Sequence, residues 1–159
     1  MAQVRFRIVA PLTALLLTLA LTGVASASNV ATFQVGLTGS QEVTQNPFCA
    51  PPDICGDPDA AGIATIKINP GSDLVCFKLQ WSDIDGTVTA AHIHGPATRS
   101  QAAPVLVTFF QPASFAGTDK ANGCTHDADA DAIAATPTMY YVNVHSNAYP
   151  MGAIRGQLA

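Results

Sequence analysis

Val75-Cys76-Phe77-Lys78-Leu79-Gln80-Trp81 sets large apolar side chains against Cys76, Lys78 and Gln80, one residue apart, without a break. A period of two sends Val75, Phe77, Leu79 and Trp81 to one face of an extended strand and the intervening residues to the other. The same period spreads outward in both directions. Towards the N-terminus, Ala64, Ile66 and Ile68 alternate with Thr65 and Lys67, and Asn69-Pro70-Gly71 marks a turn before Val75. Further back, Ala31, Phe33, Val35 and Leu37 alternate with Thr32, Gln34 and Gly36. Beyond Trp81, Asp83 to Gly86 reads as a turn and Thr87 to His94 as a fourth strand, ended by Gly95-Pro96. Pro104 to Phe110, Met139 to His145 and Ala153 to Leu158 complete a set of seven. Asp127 to Ala135 departs from the pattern, being Ala-rich with acidic residues at its start, and predicts one short helix stopped by Pro137. The fold expected is all-β: a Greek-key β-sandwich or small barrel of about seven antiparallel strands. Gln41 to Ala60, rich in Pro, Asp and Cys, is the long loop.

The first residues set the compartment. Arg5 and Arg7 precede an apolar run from Ile8 to Leu21, and Ala25-Ser26-Ala27 supplies the small residues of a cleavage site. Such a segment predicts a signal peptide over residues 1–27 and a single domain over 28–159, placed outside the cytoplasm. The run is shorter than the roughly 20 residues of a membrane span, and no second one follows, so no membrane insertion is expected after cleavage. Losing Arg5 and Arg7 leaves five of the seven basic residues against all eleven acidic ones. That balance excludes nucleic acid as a partner, because phosphates need Lys and Arg.

An even count of cysteines in a secreted chain predicts disulfides. Cys49, Cys55, Cys76 and Cys124 allow three pairings. Cys49 and Cys55 share the Pro-rich loop and are placed to close a small ring, which would leave Cys76 to staple a strand to a distant loop at Cys124.

Strand parity also sorts the histidines. His92 and His94 share one face of their strand, and Ala91 and Ile93 the other. Tyr140, Val142 and Val144 oppose Tyr141, Asn143 and His145; Ile154 and Leu158 oppose Arg155 and Gln157. If the apolar faces share one core, three imidazoles gather on the reverse side with Asn143 and Arg155. Neutral imidazole is a ligand for zinc and copper, and two His at i and i+2 with a third from a neighbouring strand make a His₃ centre with an open position. His92, His94 and His145 are therefore candidate metal ligands, with Asn143 and Arg155 supporting them. The alternative is a polar network in which each ring bonds backbone carbonyls. The run Asp127, Asp129, Asp131 has a calcium-loop spacing, but Ala132 and Thr138 stand where such a loop needs Gly and Glu. No G-x-S-x-G elbow or Gly-rich phosphate loop is present, and no catalytic residue is indicated. A ligand site in the Gln41 to Ala60 loop, around Phe48 and Ile54, is a further possibility.

Ala90-Ala91-His92-Ile93-His94-Gly95-Pro96-Ala97, Tyr141-Val142-Asn143-Val144-His145-Ser146, Tyr149-Pro150 and Ile154-Arg155-Gly156-Gln157-Leu158 together resemble the CHRD domain. The resemblance covers most of Thr32 to Leu158. This family takes its name from the domain repeated in chordin, an extracellular antagonist of bone morphogenetic proteins, and also occurs as single-domain secreted bacterial proteins. It implies an extracytoplasmic binding or structural module with an unidentified protein or extracellular ligand as partner; no enzymatic activity is firmly attached to the family, and the rival reading is a zinc or copper protein, an enzyme among the options, built on His92, His94 and His145. Gly123-Cys124 is similar to the bacterial members and implies the pairing Cys76–Cys124. The Cys49 to Cys55 insert departs from the family's core pattern.

Overall fold

The structure, a computed structural model, describes residues 30–43, 55–111 and 118–159. The signal peptide expected over 1–27, and Cys49, Phe48 and Ile54 of the long loop, lie outside the described residues. Cys55 is disulfide-bonded.

Among the described residues the chain forms eight strands: β1 (Ala31–Thr38), β2 (Ala61–Asn69), β3 (Leu74–Ser82), β4 (Val88–His94), β5 (Val105–Phe110), β6 (Lys120–His126), β7 (Tyr141–Ser146) and β8 (Ile154–Gln157). All pair antiparallel in one sheet of order β5-β4-β7-β8-β1-β2-β3-β6. β1, β2 and β3 make a meander. The chain then leaves β3 for β4 and later leaves β6 for β7, so neither of those pairs is adjacent. The sheet curls into a nearly closed barrel: Phe109 of β5 stacks on Phe77 of β3 with ring centroids 4.4 Å apart, spanning the seam between the two ends.

Seven of the strands stand where alternation predicts them. β6 is the addition. Its sequence, Lys-Ala-Asn-Gly-Cys-Thr-His, is short of the branched and aromatic residues that announce a strand, and Asn122-Gly123 reads as a turn. The partner explains the composition. Gly123 lies opposite Phe77, and a Cβ there would come within 3.0 Å of the Phe77 ring. The small residue gives the ring the room it needs beside the seam. Cys124 is thus a strand residue rather than part of a loop. It pairs in register with Cys76 and is joined to it by a disulfide across 48 residues of chain. The helix is shorter than Asp127–Ala135: α1 covers Ala130–Ala135, and Pro137 opens a 3₁₀ turn, Pro137–Met139.

The apolar faces meet inside. Val35, Leu37, Ile66, Ile68, Leu79, Ile93, Val142, Val144, Ile154 and Leu158 belong to one buried cluster. The reverse side of β4, β7 and β8 is largely buried as well, and it is polar: His92, His94, Asn143, Arg155 and Gln157 are all buried. A strand with both faces covered loses its polar-out alternation in burial though not in sequence. Two connecting segments, residues 39–43 with a 3₁₀ turn at Gly39–Gln41 and residues 97–104, lie over this second face.

Candidate metal centre

Antiparallel register fixes which polar side chains are neighbours. His94 faces Tyr141, which faces Gln157; His92 faces Asn143, which faces Arg155; Ala90 faces His145. His145 is thus diagonal to His92, and its direct partner is the small Ala90, which leaves the imidazole free to lean along the sheet. One nitrogen from each of His92, His94 and His145 lies within 4.8 Å of the other two. The structure brings together the three histidines that parity selects. His126 is elsewhere, its Nδ1 donating to Ser72 O at 3.0 Å.

The outer nitrogens of the rings decide what the inner ones can do. His94 Nδ1 is 2.9 Å from Ala103 O, and His145 Nδ1 is 3.1 Å from Pro150 O. A carbonyl oxygen only accepts, so both Nδ1 atoms carry the proton, and in a neutral ring Nε2 is then a bare lone pair. His94 Nε2 is buried with no hydrogen-bond partner among the described residues. His145 Nε2 is 3.2 Å from His92 Nδ1, while His92 Nε2 is 3.0 Å from Gln111 Oε1. His92 has two tautomers available. With the proton on Nδ1 it donates to His145, and with the proton on Nε2 it donates to Gln111 and turns a third lone pair inward. In the second arrangement every ring is oriented by an oxygen behind it, as the rings of metal-binding histidines are. Two nitrogens at about 2.0–2.1 Å from a tetrahedral ion stand about 3.3 Å apart, close to the His92–His145 separation. The donor set fits zinc or copper.

The rings are held neutral. Burial pulls His145 down to about 4, helped by the neighbouring His92, and burial also lowers His92 and His94. Unprotonated imidazole is the form that ligates.

Asn143 and Arg155 make their bonds outside this trio. Asn143 Nδ2 donates to Glu42 Oε2 at 3.2 Å. Arg155 donates to Gln101 O at 3.0 Å, Thr98 O at 3.1 Å and Gln157 Oε1 at 3.3 Å, and its guanidinium sits 3.4 Å from the centroid of Tyr141. Gln157 Nε2 donates to Ala97 O and Thr138 O, both at 2.8 Å. Four carbonyls of the 97–104 segment thus find donors on the sheet, counting Ala103 O with His94. That is how an irregular segment packs over a buried face without orphaned backbone groups.

Glu42 is the functional candidate that periodicity misses. It is the sequence's single glutamate, set in a loop where no pattern speaks. It is 5 % exposed, and burial pushes it to about 8 against the opposing pulls of Arg155 and the Asn143 hydrogen bond. Its Oε1 has no hydrogen-bond partner among the described residues. Gly152, with φ +134°, makes the space: a Cβ there would lie 2.6 Å from Glu42 Oε2. Beside the histidines a cavity of about 290 Å³ is lined by His94, Tyr141, Asn143, His145, Pro150 and Met151, among others.

The family model for the CHRD domain matches residues 33–158 of the chain. No curated protein and no solved structure matches.

Proposed function

The chain belongs to the CHRD domain family, an extracellular-type binding or structural module, and on that premise we propose that it works outside the cytoplasm by binding a zinc or copper ion through His92, His94 and His145. The observation that carries this reading is His94 Nε2. A buried acceptor left bare costs about 1–3 kcal/mol, and a chain bears that cost where something else fills the place. The His94 proton is committed to Ala103 O, so the lone pair cannot be removed by choosing the other tautomer. A cation beside it, shared with the two other rings, satisfies it.

Such an ion supplies an open coordination position to an exogenous donor when bound. The protein's own residues supply the frame. Ala103 O, Pro150 O and Gln111 Oε1 fix the rings, and Arg155 and Gln157 anchor the segment that carries Ala103. A signal peptide at residues 1–27 and a mature domain from Ser28 belong to the same proposal, as does the Cys49–Cys55 ring. The Cys76–Cys124 bridge is compatible with that compartment.

Elemental analysis of natively purified protein tests the reading. Stoichiometric zinc or copper is expected, and it should vanish when His92→Ala and His94→Ala are combined. A wild-type protein that takes up neither metal at neutral pH would sink it. The hydrogen-bonded network of neutral rings, with His92 Nδ1 donating to His145, would then be the whole role of the cluster.

A further inference from the structure

Met151 has no packing explanation. It is 60 % exposed, yet it lines the same cavity as His94 and His145. Its backbone is held on both sides. Pro150 O accepts a hydrogen bond from His145 Nδ1, Gly152 N donates to Tyr149 O at 3.1 Å, and Tyr149 N donates to Ser146 Oγ at 3.1 Å. The turn is therefore pinned to β7 and to a candidate ligand itself, while the side chain has three free rotors and a polarisable thioether at its end. We propose that Met151 provides a fourth, thioether donor to the centre formed by His92, His94 and His145, and that it makes the site selective for copper(I) over zinc. This rests on the metal reading above. The chemistry follows from donor softness: thioether sulfur binds copper(I) and adds little for zinc, which takes imidazole, carboxylate, thiolate or water. Exposure serves the same end. A donor on a mobile arm at the mouth of a cavity closes over an ion after it has entered, where a buried donor would block the way.

The test is anaerobic titration of the full mature chain with copper(I) against bicinchoninate, and separately with zinc(II) against a chromophoric chelator, for wild type and Met151→Leu. Leu keeps the bulk and removes the sulfur, and the site is exposed, so the variant should fold, with an unchanged thermal melt in the metal-free state as the check. Copper(I) affinity should fall at least about ten-fold and zinc affinity by less than about two-fold, and X-ray absorption should show a sulfur neighbour of copper in wild type that the variant lacks. If both proteins bind copper(I) equally, or both metals weaken together, Met151 is no ligand although the three histidines stand. If wild type binds no metal at all, the histidine reading and this one fall together.

Discussion

At the residue scale the second buried face depends on a few side chains that each do what water would do elsewhere. Arg155 is the clearest. It is 1 % exposed, and its donors go to two backbone carbonyls and an amide while its flat face lies on Tyr141. Charge delocalisation and a planar fork suit arginine to such a place, whereas lysine would bring a compact ammonium that keeps its water. Glu42 solves the opposite problem by leaning towards its neutral form. The fit around it is tight enough to test by adding a single methyl. Gly152→Ala places a Cβ against the Glu42 carboxyl and forces an alanine to φ +134°. Backbone strain of that kind costs about 1–3 kcal/mol. Urea denaturation should show a loss of that size, and an unchanged midpoint would mean that the turn at residue 152 rearranges to relieve both the φ and the contact with Glu42. Nothing in the sequence announces the pairing of Glu42 with Gly152, because the two are 110 positions apart and neither lies in a periodic segment.

At the scale of elements, legibility follows side-chain size. β3 can be read from Val75 to Trp81 because large apolar residues alternate with Lys78 and Gln80, and the core face that this implies is the one that forms. β4, β7 and β8 reveal their two faces for the same reason, and with them the gathering of His92, His94 and His145. β6 cannot be read because its job is to be thin: Ala121 and Gly123 face inward beside Phe77, and their smallness is invisible to any rule that looks for bulk. Alternation is equally silent on whether the polar face meets solvent or another layer. Gly95 through Pro104 carries no period, yet its carbonyls cover His94, Arg155 and Gln157. The link between β3 and β6 gives a prediction at this scale. Cys76 and Cys124 close 48 residues that include β4 and β5, and β6 has little apolar surface of its own. Replacing both by Ala should lower stability by about 2–5 kcal/mol. Hydrogen exchange should locate the loosening first in β6, whereas a loss spread evenly over the sheet would show the bridge to be dispensable for that strand.

For the molecule as a whole, two layers of opposite character share one sheet, and their titrations oppose each other. The histidines are neutral in the folded chain at pH values where the unfolded chain protonates them. His145, depressed to about 4, contributes stability that is present above its ordinary 6.5 and lost as pH falls through about 4; His92 and His94 shift the same way. Glu42 runs in reverse. Its pKa is raised from 4.5 to about 8, so its contribution is full below 4.5 and is lost as pH rises through about 8. Between those values each unit of pH removes up to about 1.4 kcal/mol per proton. Above about 6.5 the histidines are neutral in both states, and what remains is the opposing slope of the raised carboxyls. The metal-free protein should therefore weaken as pH rises above about 6.5, the limb that the raised carboxyls control. Asp57, also raised by burial, slopes in the same sense as Glu42, so the pH profile alone cannot assign the alkaline limb. Glu42→Gln can. The amide keeps an oxygen for Asn143 Nδ2 and never ionises, so guanidinium melts of chelated protein should show the variant gaining on wild type steadily from pH 5 to pH 8. Parallel curves for the two proteins would mean that Glu42 is ionised in the fold throughout, and that Arg155 serves as its counter-ion while it also holds the 97–104 segment.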